Sequence, residues 1–301
     1  MSYYKFLRDS EDHQVLKSCV EGNVMFSRIP ELNDFSETFA VVDKVEMERA
    51  SARISSVGCT REEIRNLEKH INLFENLPME GLGTTLMNVA MGLFGQFGAH
   101  SMLNPNKLMK VMLKELPNIL QSVNKHIQDN VGIFCITEKF DIFPMWAHYA
   151  DEAKGFVVEY DNLEKLFHDK ETDVLNLLKK VDYYSNERPA VQFSPSHLTE
   201  LFFSKHEDWK YEREWRVIKP LSECKKFRKK IVLKNGEEKE CERYFFNIGV
   251  NNNPEKYIKR IIVGWNGDLE DIRDYVKEKC DIPVVQAKVK DGNIVVSKNR
   301  N

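Results

Sequence analysis

No Cys-x-x-Cys pair occurs in this chain, and its six cysteines (Cys19, Cys59, Cys135, Cys224, Cys241, Cys280) are scattered. That excludes the usual dithiol redox and zinc-ligand spacings, and buried free thiols of a reducing compartment are expected. Cys135 lies in an apolar run, which does not suit a reactive thiolate. The eight histidines are equally dispersed, so a metal centre is not predicted. Neither a Gly-x-Gly-x-x-Gly turn nor a phosphate-loop lysine motif is present. The apolar stretch nearest to membrane-spanning length, Leu82 to Phe97, is too short and is interrupted by Asn88, Gln96 and glycines. The N-terminal MSYYKFLRDSEDH has no apolar signal core. A cytoplasmic protein without membrane attachment is therefore expected. Net charge is −3, so the chain as a whole does not attract nucleic acid, and only local patches are left to do so.

What is present is a soluble globular composition, with 42% hydrophobic and 30% charged residues over 301 positions. That length suits one large domain, or a domain carrying an insertion. The opening reads as strand (Tyr3 to Leu7), helix, strand (Val24 to Ser27) and polar turn (Ile29 to Asp34). Asp9-Ser10-Glu11-Asp12 has the look of a helix start with acids in its first turn, and Val15, Leu16, Cys19 and Val20 recur at helical spacing. Residues 43–129 differ in character. They hold Met47, Met79, Met87, Met91, Met102, Met109 and Met112, with good helical periodicity from Thr60 to Leu77 and from Asn106 to Ile127. This block is predicted to be a helical insertion, either packed as core or offering a methionine-rich face to a protein partner.

From Val131 the β-character returns. Strands are predicted at Gly132 to Thr137, Gly155 to Asp161, Val181 to Tyr184, Tyr257 to Trp265, Pro283 to Val289 and Ile294 to Ser297. Asn235-Gly236 predicts a hairpin between Lys230 to Leu233 and Arg243 to Ile248. Helices are predicted at Asn162 to Lys180, Pro195 to His206 and Leu269 to Lys279. The chain is mixed α+β rather than a regular βαβ alternation. Residues 1–42 and 130–301 would form the core domain.

Three constellations could carry chemistry. In Trp209-Lys210-Tyr211-Glu212-Arg213-Glu214-Trp215-Arg216-Val217, an extended backbone would point Glu212, Glu214 and Arg216 to one face. Two acids and a guanidinium are costly to bury unless paired or used. The alternative is a solvated edge. In Met145-Trp146-Ala147-His148-Tyr149-Ala150-Asp151, followed by Lys154-Gly155-Phe156, aromatic groups and a histidine cluster between two strands, where they could stack on a flat heterocycle or simply anchor a loop. Leu32-Asn33-Asp34-Phe35-Ser36-Glu37 reads first as turn chemistry.

Taken in order, these segments resemble a bacterial family known as domain of unknown function 2971. The resemblance rests on Tyr4-Lys5-Phe6, Val24-Met25-Phe26-Ser27 with Leu32-Asn33-Asp34, Trp146 to Asp151 with Lys154-Gly155-Phe156, Lys205 with Trp209 to Arg216, and Ile261-Ile262-Val263-Gly264. Where that family usually continues Asn-Asp with proline and an acid, this chain has Phe35-Ser36-Glu37. More distantly, strand–helix–strand followed late by Glu-x-Glu resembles ADP-ribosyltransferases. That resemblance implies a mostly antiparallel split-sheet core and NAD as substrate. It implies Glu214 as the catalytic glutamate and Glu212 as the group that positions or deprotonates the acceptor. Tyr4 and Lys5 would stand where an arginine or histidine holds NAD, with Ser27 as a polar contact. Trp146, His148 and Tyr149 would form an aromatic wall, with Arg216 beside them.

The function expected on this basis is transfer of ADP-ribose to a macromolecular acceptor, nucleic acid or protein, by a toxin or phage-defence effector. Two alternatives stand beside it: a metal-dependent nuclease or hydrolase using Asp34, Glu159, Glu212 and Glu214, and a non-catalytic interaction module.

Overall fold

The segment Phe156–Tyr160 is buried at every position. A strand covered on both faces needs consecutive apolar residues rather than alternating ones, and Phe-Val-Val-Glu-Tyr nearly provides them. The computed structural model describes residues 1–10, 12–33, 121, 125, 127–167, 175–186, 202–232, 238–249 and 253–296. Among these the strands are β1 (Tyr3–Leu7), β2 (Asn23–Arg28), β3 (Val131–Thr137), β4 (Phe156–Tyr160), β5 (Leu178–Lys180), β6 (Asp182–Tyr184), β7 (Ser204–His206), β8 (Glu214–Pro220), β9 (Lys225–Val232), β10 (Glu238–Asn247), β11 (Ile258–Val263), β12 (Val284–Lys290) and β13 (Asn293–Val296). The helices used below are α1 (Gln14–Val20), α2 (Phe143–Tyr149) and α3 (Leu269–Lys277).

The main sheet has the order β13-β12-β11-β4-β1-β3-β2-β10-β9, and β8 pairs with both β3 and β5. Pairing is mostly antiparallel, with β11 and β12 parallel. Strand β3 thus borders β1, β2 and β8. A strand has only two edges, so two of these partners share one edge at different heights. Strand β1 meets β3 near its end, where Tyr4 faces Thr137. The sheet divides there.

Alternation sorts the side chains onto two buried faces. One face holds Tyr3, Phe26, Phe134, Phe156, Val158, Val217, Ile261 and Val263, covered by Leu16 and Cys19 of α1 and by Ile272 and Val276 of α3. The other holds Phe6, Val157, Ile262 and Val285, covered by Met145 and Trp146 of α2. Mixed α+β architecture with a mostly antiparallel sheet is therefore what these residues build.

The chain divides into two compact units. One comprises Met1–Ser27, Gly132–Ser185 and Lys205–Asn301, and the other Arg28–Val131 and Asn186–Ser204. In the second, a short 3-10 turn at Ile29–Glu31 is closed by an Arg28–Glu31 ion pair at 2.9 Å. Most of the predicted helical insertion at 43–129 lies outside the described residues, as do Asp34 to Glu37 and the turn at Asn235-Gly236.

Several sequence expectations are corrected. The predicted helix at Asn162 to Lys180 is reduced to a 3-10 turn at Leu163–Lys165, after Asn162 in the left-handed region. Its end is strand β5 instead, because β8 supplies the hydrogen-bonding edge for Leu178, Lys179 and Lys180. The predicted helix ending at His206 is strand β7 over its last three residues. The acids near Asp9 precede α1 rather than fill its first turn. The helix starts at Gln14, after His13 at φ 52°, and Asp9 Oδ1 accepts from the amides of Ser10 and Leu16.

Two features yield predictions. A Cβ on Gly264 would lie 2.0 Å from the Ala153 carbonyl oxygen, with backbone rather than a flexible side chain in the way. Gly264→Ala is expected to cost about 2–3 kcal/mol of unfolding free energy in urea titration. His13 sits between Asp9 (2.6 Å) and Asp271 of α3 (3.0 Å). Burial opposes its charge, but the two carboxylates outweigh that and raise its pKa. Its stabilising contribution is complete below the unfolded imidazole value of about 6.5 and is lost as pH rises through the raised folded value. The stability gap between wild type and His13→Asn is expected to shrink from about pH 5 to about pH 9.

Candidate functional site

Lys205 is presented by β7, and the chain then turns through a 3-10 segment, Glu207–Glu212. Arg213 follows at φ 48°, in the left-handed region, and β8 begins at Glu214. The run from Glu212 to Arg216 is thus not one extended strand, which corrects the sequence expectation. Its three charged side chains nevertheless converge. The turn at Arg213, whose carbonyl accepts from the Glu138 amide (3.4 Å), swings Glu212 back toward Glu214.

The centre of the site is Lys205. Its Nζ lies 2.7 Å from Glu212 Oε2 and 3.2 Å from Glu214 Oε2. Arg216 donates to Glu214 through Nε (2.8 Å to Oε1) and Nη2 (2.9 Å to Oε2), a two-point grip that fixes the carboxylate plane. The Tyr149 hydroxyl donates to Glu212 Oε1 at 2.6 Å. The Glu214 amide donates to the Tyr183 hydroxyl at 2.9 Å. The Lys205 ammonium also sits 4.8 Å from the centre of the Trp209 ring. Lys205, Glu212, Glu214 and Arg216 are all at most 5% exposed. Among the described residues the cluster pairs two anions with two cations, the condition under which buried charge is tolerated.

Burial alone would raise the Glu214 pKa. The Arg216 and Lys205 charges, and hydrogen bonds from Arg216 and the Cys135 thiol, outweigh it and hold the carboxyl well below the usual range. Burial and the Glu212 charge push the Tyr149 phenol up. Tyr183 is raised by burial and the nearby acids, against the hydrogen bond from the Glu214 amide. Around neutral pH Glu214 is therefore an anion and both phenols keep their protons. Glu214 can accept hydrogen bonds but has no proton to donate. Burial, followed by the Glu214 charge, pushes the Cys135 thiol up, which keeps it from acting as a nucleophile.

The other candidate residues are placed as follows. Trp146 is fully buried. Its indole N–H donates to the Phe140 carbonyl at 2.7 Å, and its ring packs on Phe6 and Trp265. It anchors α2 and through it Tyr149. His148 is exposed, and its carbonyl accepts from Arg8. Lys5 shares the α1/α3 face of the sheet with Tyr3 and Leu7, donates to the Cys135 carbonyl at 2.8 Å and lies over Phe134. Glu214 and Arg216 lie on the opposite face, since Trp215 and Val217 between and beyond them pack on the α1/α3 side. Of the two β1 candidates, Tyr4 shares the face of the acids. So does Ser27, half-buried on β2, by alternation from Phe26. Glu159 is held by Lys259 (2.9 Å) and Arg260. Among the described residues, no three His, Cys, Asp or Glu side chains are grouped to hold a metal ion. Asp34 lies outside them.

Residues 145–217 match the model of a protein family described as a protein of unknown function, DUF2971. No curated protein and no solved structure matches the chain. The DUF2971 segment runs from Met145 in α2 to Val217 in β8. It contains Tyr149, Tyr183, Lys205, Trp209, Glu212, Glu214 and Arg216, whereas Cys135 lies before it. The match supports the resemblance to DUF2971 drawn from sequence over this stretch. Tyr4-Lys5-Phe6 and Ile261 to Gly264 lie beyond it. Among the described residues, no helix is long and apolar enough to cross a membrane.

Sequence reasoning missed Lys205 and Tyr183 as members of the site. Lys205 appeared only among the segments that carry the DUF2971 resemblance; its approach to Glu212 runs through a strand and a 3-10 turn, which no regular spacing encodes. Tyr183 arrives because β6 pairs with β7. Its only sequence signal was a polar aromatic within a short strand.

Replacing Glu214 by Gln leaves the Arg216 guanidinium buried opposite a neutral amide. The expected loss is about 3–5 kcal/mol in chemical denaturation. With a depressed folded pKa, the stability carried by Glu214 is present above the unfolded carboxyl value of about 4.3 and is lost as pH falls from there toward the folded value. Wild-type stability should therefore fall more steeply than that of Glu214→Gln below about pH 4.5, and equal acid slopes would refute the ionised network.

Proposed function

We propose that this protein is an NAD-consuming ADP-ribosyltransferase acting on a macromolecule. The observation that carries the reading is the pair of carboxylates at the entrance to β8, with Glu214 held ionised by Arg216 and Lys205. Loss of nicotinamide from NAD leaves positive charge on the ribose, and a fixed anion at that point lowers the barrier electrostatically. Support also comes from the division of the sheet at β3, beside both β1 and β8.

In this reading Glu214 faces the ribose and stabilises the oxocarbenium-like state. Glu212 accepts one hydrogen bond from Tyr149 and one from Lys205, which leaves it acceptor capacity for an incoming hydroxyl or amine. It orients that acceptor or takes its proton. Tyr149 and His148 would line the site, whereas Trp146, enclosed in the core, supports the helix that carries them. On β1 it is Tyr4, rather than Lys5, that lies on the side of the acids. Substrate entry would need the outer hydrogen bonds of the cluster to exchange, because both acids are only 4% exposed.

A second reading has one observation behind it. Glu214 is satisfied at both oxygens, and a buried network of paired charges can serve folding alone, leaving a non-catalytic interaction module. Incubation of folded protein with labelled NAD and cell lysate separates the two. Label transfer or nicotinamide release, lost at least about 100-fold in Glu212→Gln with the fold retained by circular dichroism, is expected. Absence of both products from folded wild type would sink the enzymatic reading and leave the structural one.

A further inference from the structure

Residues 225–243 carry eight cations and four acids within a chain whose net charge is −3. They span β9 and the first part of β10, which pair antiparallel, and β9 is the terminal strand of the described sheet. A basic edge strand ordinarily serves to prevent edge-to-edge pairing. Lys226 and Arg228 fit that role, since both are engaged with Glu242 across the ladder (2.5 and 3.3 Å).

The opposite face of the same strand pair is different. Register places Phe245 across from Lys225 and Arg243 across from Phe227. Phe227 is 45% exposed, and its ring meets that of Phe245 edge-on at 5.4 Å. The Lys225 ammonium stands 5.0 Å from the Phe227 ring centre. Guarding an edge requires no exposed aromatic, and none of these four residues is an acid. Tyr244 belongs to the core on the α1/α3 side, and Phe246 packs against it, so Phe245 and Arg243 point to the other side of the sheet. Met25 of β2, opposite Phe245, continues that side toward β3. It is the face on which Glu214 and Arg216 lie.

We infer that the face bearing Lys225, Phe227, Arg243 and Phe245 binds a single-stranded nucleic acid. Phe227 would stack a base, while Lys225 would meet a phosphate; the Arg243 guanidinium donates to the Glu242 carbonyl at 3.2 Å and adds positive charge to the same face. Alternating cations and aromatics complement the two repeating features of an unpaired strand, its charge and its exposed base faces. A duplex hides the bases and would engage only the cations. An acidic peptide offers no ring to stack. That the bound strand is also the acceptor of ADP-ribose rests on the function proposed above; that it binds does not.

The test is fluorescence anisotropy on the full chain, without NAD, using labelled 12-nucleotide single-stranded DNA, the same sequence as RNA, the matching duplex, and poly-glutamate. Saturable binding of a single strand, tighter than duplex and poly-glutamate, is expected, with the DNA and RNA arms showing which sugar is preferred. Phe227→Ala should weaken it about 5- to 100-fold. Lys225→Ala should reduce the slope of log affinity against log salt by about 0.7. Both residues are exposed, so neither change threatens the fold. No single-strand binding in 50 mM salt, equal binding of poly-glutamate, or unchanged affinity in Phe227→Ala would overturn the inference. Binding without ADP-ribose transfer would refute the enzymatic reading alone, and transfer without binding would refute this one alone.

Discussion

Lys205 touches two carboxylates that would otherwise repel each other in a water-poor interior. Coulomb repulsion between two close anions grows as the local dielectric falls, and so does the attraction of a cation placed between them. The position of Lys205 on β7, the left-handed turn at Arg213 and the two-point grip of Arg216 therefore depend on one another. Remove any one, and the remaining charges lose the geometry that makes their burial tolerable. Tyr149 joins the cluster to α2, and α2 is held in turn by Trp146 beneath it. The local order of the acids is thus tied to the packing of the sheet.

The division of labour between the two faces of the sheet follows from alternation. On one face α1 and α3 cover a continuous apolar core. On the other, apolar packing under α2 gives way to the ion cluster at β8 and then to the cation–aromatic strip of β9 and β10. Keeping the Lys205–Glu212–Glu214–Arg216 cluster on one side leaves most of the other to supply the hydrophobic stabilisation that a buried ion network does not. The loop after α2 carries its own strain. Asp151, Glu152 and Ala153 all have positive φ, which non-glycine residues adopt at a cost of about 1–2 kcal/mol each. The close approach of Gly264 to Ala153, and the hydrogen bond from the Asn266 amide to the Ala153 carbonyl, hold that turn in place.

Much of this was legible in the chain. Strands β1, β2, β3, β4, β11, β12 and β13, with helices α1 and α3, follow hydrophobic periodicity closely. The failures have a common cause. Leu175, Leu177 and Leu178 are compatible with helix or strand, and the hydrogen-bonding edge of β8 decided for strand. Glu212, Glu214 and Arg216 do converge, but the backbone that brings them together is a turn rather than a strand. Trp146 looked like a stacking group because aromatics near a loop often are; its complete burial makes it a support.

By itself the sequence determined which residues are charged, which segments alternate, and that a Glu-x-Glu pair precedes an apolar strand. Those are local properties, set by side-chain chemistry and by the two-residue period of a strand. Tertiary structure alone decided that Lys205 lies between the two acids, that Tyr149 and Tyr183 reach them from elsewhere in the chain, and that Lys5 lies on the opposite side of the sheet from Glu214. These depend on strand order and on one left-handed residue, and neither is written in the spacing of the residues they bring together.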